Sequence, residues 1–514
     1  MRKMIEGVFG SSWLSPALLV AALVDPLLMT GATRASVRKF QRTVLPPFHR
    51  LEALQSVTSP VDRMRSGQKQ NRTVRNLRCS AAVRSVMTSA HSRPDEPPTE
   101  EGFLEKLGPG VITGAADDDP SGIATYSQAG AQAGFGLLWT VVLTWPLMVA
   151  VQSVSARIGR VTGRGLARNM GRIFPHSVVI AFVLLLFVAN TINLGADLAA
   201  MGAATRLMIG TGNAHLYTAA FAVFSLLAVV FIPYSRYVGF LKWLTFSLFA
   251  YVGIVFTVKI DWSAVAMGAI VPKFDLTGES LTLIVAIFGT TISPYLFFWQ
   301  SSQEVEEEEA DPEAEPLVKR PDQAESELNR ISFETWLGMG ISNLVAFFII
   351  LTTAATLHAA GKTDIQSAEQ AAEALKPIAG EAAFFLFAVG LIGTGLLAIP
   401  VLAGSVAYAA AEARGWRMGL ERPLKEARAF YGVIALAIVL GIGVDFSPLD
   451  PIKALDWSAV LNGIIVVPIM AAMMVVASRR RLMGPFVASL WQRILGWAAT
   501  AIMAGAAIAM FVMM

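Results

Sequence analysis

Cysteine is almost absent. The single Cys79 in 514 residues excludes a disulfide framework, a thiolate metal site and a cysteine nucleophile in the core. Five scattered histidines exclude a zinc enzyme of the familiar His-ligand kind. Charge is scarce at 15% of residues, against 54% hydrophobic and a mean hydropathy of +0.55. No Gly-rich loop ends in Gly-Lys-Ser/Thr and no soluble segment is long enough to carry one, which excludes a nucleotide-driven pump. No basic-aromatic surface points to nucleic acid. The formal charge of +3 says little as a total, because its distribution matters more. What the chain has instead is a series of apolar runs of helix-spanning length, about 20 residues each, so it is an integral membrane protein.

Residues 1–100 read as a poorly structured N-terminal extension. Phe9 to Thr30 is apolar but interrupted by Pro16, Asp25 and Pro26, and Arg34 to Arg93 is rich in Arg, Ser, Thr and Gln and poor in acids. Two readings fit: a targeting or surface-binding arm, or an over-extended reading frame with its natural start at Met64 or Met87. Residues 101–514 form the membrane domain, which begins near Leu107. It divides into a first repeat at about 107–258, a second at about 280–478 and an extra helix at about 490–514.

About eleven spans are expected, centred near Asp119, Val149, Leu186, Ser225, Phe249, Thr291, Phe347, Leu396, Leu436, Ile465 and Ala504. Arg157, Arg160, Arg164, Arg168 and Arg172 follow span two, and Arg236 and Lys242 flank the fourth connection. Arg414, Arg417, Arg422, Lys425 and Arg428 follow span eight, and Arg479 to Arg481 follow span ten. All these places fall on one side, which implies a cytoplasmic N-terminus in the cell (inner) membrane. Glu304, Glu306, Glu307, Glu308 and Glu309 open the sixth loop and read either as a solvated acidic loop or as a cation-attracting vestibule.

Asp117-Asp118-Asp119-Pro120-Ser121-Gly122 lies inside the apolar stretch from Val111 to Val151. Each charge at the bilayer centre costs roughly 3 kcal/mol unless it pairs or lines a wet cavity. Pro120 and Gly122 break the helix where the acids lie. Asp119 touches the break, while Asp117 and Asp118 are expected to face water at the helix end. Span six carries a second break at Gly289-Thr290-Thr291-Ile292-Ser293-Pro294-Tyr295. Two interrupted spans at matching positions in two halves indicate an inverted-repeat secondary transporter with a cation site near the midplane. Asn190, Asn193 and Asp197 share one face of span three and either bond neighbouring helices or, for the ionisable Asp197, do more. Asn462 on span ten is a candidate to face the site. Gln300 lies about two turns beyond the second break, and Glu412 and Arg414 read as interfacial.

Gly108-Pro109-Gly110, Asp119-Pro120-Ser121-Gly122-Ile123-Ala124-Thr125 and Gln128-Ala129-Gly130-Ala131-Gln132 resemble the first span of Nramp divalent-metal transporters. Gln152 to Gly159 and Val161-Thr162-Gly163 extend the resemblance through span two. It implies an all-α, LeuT-like fold of two inverted five-helix repeats with helices 1 and 6 broken, and a divalent metal cation as substrate rather than a resident cofactor. The departures are informative. Against the family's Asp-Pro-Gly-Asn, Gly122 stands where the ligand Asn would be. Against its Met-Pro-His-Asn, Ser293 takes the Met position, and Tyr295 and Leu296 replace His and Asn. Gln300 stands for a second histidine tied to proton movement, and Ala200 for the Glu that follows the acid matched by Asp197. The chain thus looks similar to the Nramp-related magnesium transporters.

The metal-site candidates are Asp119, Ser293, Ala116, Thr290, Gly122, Asp118 and Asn462, with Asp197 and Gln300 on a proton path. Such an oxygen-only set suits Mg²⁺, Mn²⁺ and Ca²⁺, whereas sulfur favours softer metals. The expected function is alternating-access transport of Mg²⁺ or Mn²⁺ with weak or no proton coupling; the alternative is a proton-coupled Mn²⁺/Fe²⁺ symporter. An intramembrane aspartyl hydrolase needs facing carboxylates that share a proton, and the contiguous triplet supplies no evident partner. An organic-solute transporter would present its broken helix to a carboxylate, which three local acids oppose.

Overall fold

The computed structural model describes residues 108–513, apart from positions within 234–249, 257–259, 273–276, within 366–379 and 447–450. The N-terminal extension and the span expected near Phe249 therefore lie wholly or largely outside the described residues. Those described are helical, with no strand among them.

Two helices are broken, and proline chemistry explains both. Helix α1 (Pro109–Asp117) stops one residue short of the Asp119-Pro120 bond, and α2 (Pro120–Ala133) starts on the proline. A proline pushes the residue before it out of the helical region and is well placed at the first helical position. Asp119 accordingly sits at φ −71°, ψ 166°, and its carboxylate accepts from Gly122 N–H as the N-cap of α2. A tight 3₁₀ turn then leads into α3 (Leu138–Thr162). A short α4 (Leu166–Met170) precedes α5 (His176–Ile209) and α6 (Ala214–Phe231). Beyond α7 (Ala250–Val255) and α8 (Trp262–Ile270), the second break repeats the first. Helix α9 (Gly278–Thr291) ends, Ser293 is extended at φ −81°, ψ 134°, and Pro294 opens α10 (Pro294–Ala310). The remaining helices are α11 (Ala324–Thr353), α12 (Glu381–Arg414), α13 (Arg428–Asp445), α14 (Pro451–Ala477), α15 (Arg480–Met483) and α16 (Leu490–Met513).

Nine helical stretches among the described residues are long and apolar enough to cross a membrane. One of them, Pro120–Thr162, joins the second half of the span expected near Asp119 to the span expected near Val149. The spans expected near Leu186, Ser225, Thr291, Phe347, Leu396, Leu436, Ile465 and Ala504 each fall on a separate stretch. The chain is a multi-pass membrane protein.

The two broken helices run antiparallel, because α2 packs on α9 while α10 packs on α1. A tyrosine ties each pair: Tyr126 of α2 to Thr291 Oγ1 at 3.0 Å, and Tyr295 of α10 to the Ala116 carbonyl at 3.3 Å. The surrounding contacts are matched as well, α11 lying along α1 and α3 along α10. Helix α5 packs against α12, α13 and α14.

The two sides of the bundle differ. On the side where α1 begins, called the near side here, α1 lies directly on α11. A Cβ on Gly114 would overlap the Gly338 carbonyl, so only paired glycines allow this approach. Below that contact Arg330 pairs with Glu304 (2.9 Å), Glu307 (3.0 Å), Glu327 (3.2 Å) and Glu334 (3.1 Å). Arg160, 3% exposed, pairs with Glu308 and Glu327. On the far side a cavity of about 780 Å³ opens between α2 and α9, lined by Gln128, Gln132, Glu279, Thr282, Asp364 and Val460.

Two expectations need correction. Glu304 to Glu309 do not form a loop. They continue α10, with Glu304 and Glu308 buried, because Arg330 and Arg160 compensate carboxylates that would otherwise need water. Glu412, expected at a membrane edge, is not exposed there. It is buried, accepting from Ser302 Oγ and Arg168 N–H, and Gly165 leaves the room it fills.

The α1–α11 contact leads to a stability prediction. Gly114→Ala is expected to lower the thermal unfolding midpoint through overpacking worth about 1–3 kcal/mol. Gly340→Ala is the control, since its added Cβ meets nothing nearer than 3.5 Å. Equal midpoints for the two variants in detergent would show that the helices do not meet as described.

Candidate metal site

The α1–α2 break presents Asp119 to α5. One carboxylate oxygen accepts from Gly122 N–H at 2.7 Å and the other from Asn193 Nδ2 at 2.8 Å. The Ser458 hydroxyl of α14 donates to Asn193 Oδ1, which fixes the amide with its NH₂ toward Asp119. Each carboxylate oxygen keeps a lone pair after these bonds. Asp197, one turn along α5 from Asn193, accepts from Ser121 N–H at 3.1 Å through Oδ1, and its Oδ2 has no hydrogen-bond partner among the described residues. Two carboxylates therefore meet the N-terminus of α2, where free N–H groups and the helix dipole favour negative charge.

Gly122 is what allows Thr290 so close. A Cβ there would stand 3.0 Å from Thr290 Oγ1 and 3.3 Å from Asp119 Oδ1. Thr290 and Asp119 thus face each other across the two breaks with no side chain between them. The Ser293 hydroxyl turns back onto the Gly289 and Thr290 carbonyls, each 2.9 Å away, donates its one proton to either, and retains its lone pairs. The Ala116 carbonyl carries the Tyr295 hydroxyl. Asn462 is buried on α14, and its Oδ1 has no partner among the described residues. Among those residues no three His, Cys, Asp or Glu side chains are grouped to hold a metal. A cation here would rest on the Asp119 carboxylate and neutral oxygens, and none of these positions carries sulfur.

Other expectations fare differently. Asp117 and Asp118 do not face water: they are 1% and 4% exposed and both approach Ser342 of α11. Their helix end is covered by α11 rather than open, which the sequence around them does not reveal. Asn190 bonds the Leu402 carbonyl and Ser405 on α12 and acts between helices. Gln300 lies along α10 toward the near side, bonded through Nε2 to Thr335 at 3.3 Å and away from Asp119. Sequence reasoning named Asn193 as a candidate but favoured a bond to a neighbouring helix for it, and missed Ser342 and Ser458. The one signal for Asn193 was its place on the Asp197 face of span three.

Comparison with known proteins gives the family and the fold. Residues 110–513 match the protein family described as natural resistance-associated macrophage protein-like, or Nramp. The chain is 26% identical over 415 residues to the divalent metal cation transporter MntH of Klebsiella pneumoniae, covering 78% of this chain and 92% of that protein. It is 30% identical over 313 residues to MntH of Yersinia pestis, covering 59% and 72%. The fold matches the crystal structure of the Eremococcus coleocola manganese transporter with a TM-score of 0.64 at 18% identity, covering 82% and 88% of the two chains. This chain belongs to the Nramp family.

Proposed function

We propose that the protein is a secondary transporter that moves divalent metal cations, Mn²⁺ and Mg²⁺, by alternating access with weak or no proton coupling. The observation that carries the reading is the buried Asp119 carboxylate, held by Asn193 and Gly122 N–H at the break of α2 and facing Thr290 across the second break. The relatives named as divalent metal cation transporters support the substrate class. The near side is cytoplasmic in this reading, because the arginine-rich connections lie there. The membrane is the cell's inner membrane, in keeping with the bacterial relatives.

The ligand types favour hard cations. Asp119, the Ser293 and Thr290 hydroxyls, the Ala116 carbonyl and Asn462 offer oxygen alone, and oxygen donors suit Mg²⁺ and Mn²⁺. Asp118 is set toward Ser342 rather than toward Asn193 and lies on the cation's route rather than against the cation held by Asp119. Gly122 contributes space.

The surroundings of Asp197 argue against a proton relay. Relays use chains of Asp, Glu and His. Asp197 faces the α2 terminus, the next turn of α5 presents Ala200, and Gln300 is committed to Thr335. The runner-up, a proton-coupled Mn²⁺/Fe²⁺ symporter, would have to work through Asp197 alone.

Three measurements test the reading in proteoliposomes. Asp119→Ala is expected to reduce Mn²⁺ and Mg²⁺ uptake to background, while loss of the helix cap costs only about 1 kcal/mol of stability. Wild-type uptake by the folded variant would remove Asp119 from the site. Ser293→Met is expected to raise uptake of Mn²⁺ or Cd²⁺ relative to Mg²⁺ by on the order of tenfold, as a thioether replaces an oxygen. An unchanged ratio would place Ser293 outside the cation's reach. Internal pH followed during uptake at zero membrane potential is expected to stay nearly constant. Acidification that scales with metal flux and vanishes in Asp197→Asn would restore the symporter.

A further inference from the structure

The three consecutive acids do not serve one place. Asp119 turns to α5, whereas Asp117 and Asp118 turn to α11. There Ser342 Oγ lies 2.8 Å from Asp117 Oδ2 and 3.2 Å from Asp118 Oδ1. A hydroxyl has one proton to give, so it satisfies one of these oxygens at a time. Asp117 Oδ1 has no hydrogen-bond partner among the described residues, and Asp117, Asp118 and Ser342 are all buried. Oxygen acceptors outnumber donors at a site with little access to water.

The surplus continues along the same seam. Two turns nearer the start of α11, Thr335 takes the Gln300 amide nitrogen and leaves Gln300 Oε1 without a partner. Further along α10, Glu304 gives one oxygen to Arg330, and its Oε1 is likewise without a partner. Gln300 and Glu304 are fully buried. Buried polar atoms are normally paired, and leaving one unmade is costly. A row of acceptor oxygens that lacks donors matches a cation, and the carboxyl end of α1 adds a partial negative charge at its head.

The geometry points to a second divalent-cation subsite, made by Asp117, Asp118 and Ser342, that holds the cation between Asp119 and the near side of the membrane. The inference rests on Asp119 being the first site. The subsite is closed toward the near side, because α1 meets α11 at Gly114 and Gly338 just below it. A cation there leaves only when α1 separates from α11. The subsite therefore governs release rather than capture.

The test uses purified full-length protein, with Mn²⁺ binding by calorimetry and Mn²⁺ uptake by proteoliposomes. The double variant Asp117→Asn/Asp118→Asn is expected to bind one cation fewer than wild type, to keep the affinity of the remaining site, and to lower kcat at least tenfold with KM within twofold. Asp119→Asn is expected to lose the first site and with it uptake. A double variant with wild-type stoichiometry and kcat overturns the subsite while leaving Asp119 standing. Undiminished uptake by Asp119→Asn overturns the first site instead. If the double variant does not fold, Asp118→Asn and Ser342→Ala are each expected to lower kcat at unchanged KM, and wild-type kcat in both overturns the subsite.

Discussion

Inside a bilayer each backbone N–H and C=O must find a partner within the protein, and two helices here give up that partnership at mid-span. The rest of the structure is organised around repairing the loss. At the first break Asp119 and Asp197 take N–H groups at the start of α2, and Tyr295 takes a carbonyl at the end of α1. At the second, Ser293 turns its hydroxyl onto the carbonyls of α9. The breaks face one another because their helices run antiparallel, so each supplies polar groups within reach of the other. The price of breaking two helices is met by a cluster of oxygens in hydrocarbon, and such a cluster is what a hard cation needs.

The asymmetry between the two sides follows from side-chain size and charge. Glycines at 114 and 338 let α1 and α11 touch by their backbones, and the ionic cluster around Arg330 and Arg160 covers the seam. These pairs join α3 and α10 to α11, and Arg160 and Glu308 are buried among them, so losing one partner there would be costly. Across the membrane, the outer turns of α2 and α9 carry Gln128, Gln132 and Thr282 and border a cavity of mixed polar and apolar lining. One side thus opens by moving polar helix faces past water, the other by parting two close-packed helices. Alternating access requires that inequality to reverse, which on the near side means parting α1 from α11 at Gly114 and Gly338.

Much of this was legible in the chain itself. Proline acts through local sterics, so Pro120 and Pro294 fixed where the helices break without reference to anything distant. Apolar runs of spanning length set the helices, and the acid at the break marked the candidate site through the cost of charge in hydrocarbon. Which neighbour each acid meets was not legible. Asp117, Asp118 and Asp119 are consecutive, yet α1 ends between them and turns them to different helices. Asp119 thus meets Asn193, 74 residues along the chain, while Asp117 meets Ser342, 225 residues along. The run Glu304 to Glu309 looked solvated for the same reason: its compensating arginines, Arg160 and Arg330, come from other helices. The sequence by itself determined the helices, their two breaks and the kind of chemistry they hold, because those depend on local sterics and on solvation by lipid. Only the tertiary structure decided which oxygens converge and which side is sealed, because those depend on pairings between helices far apart in the chain.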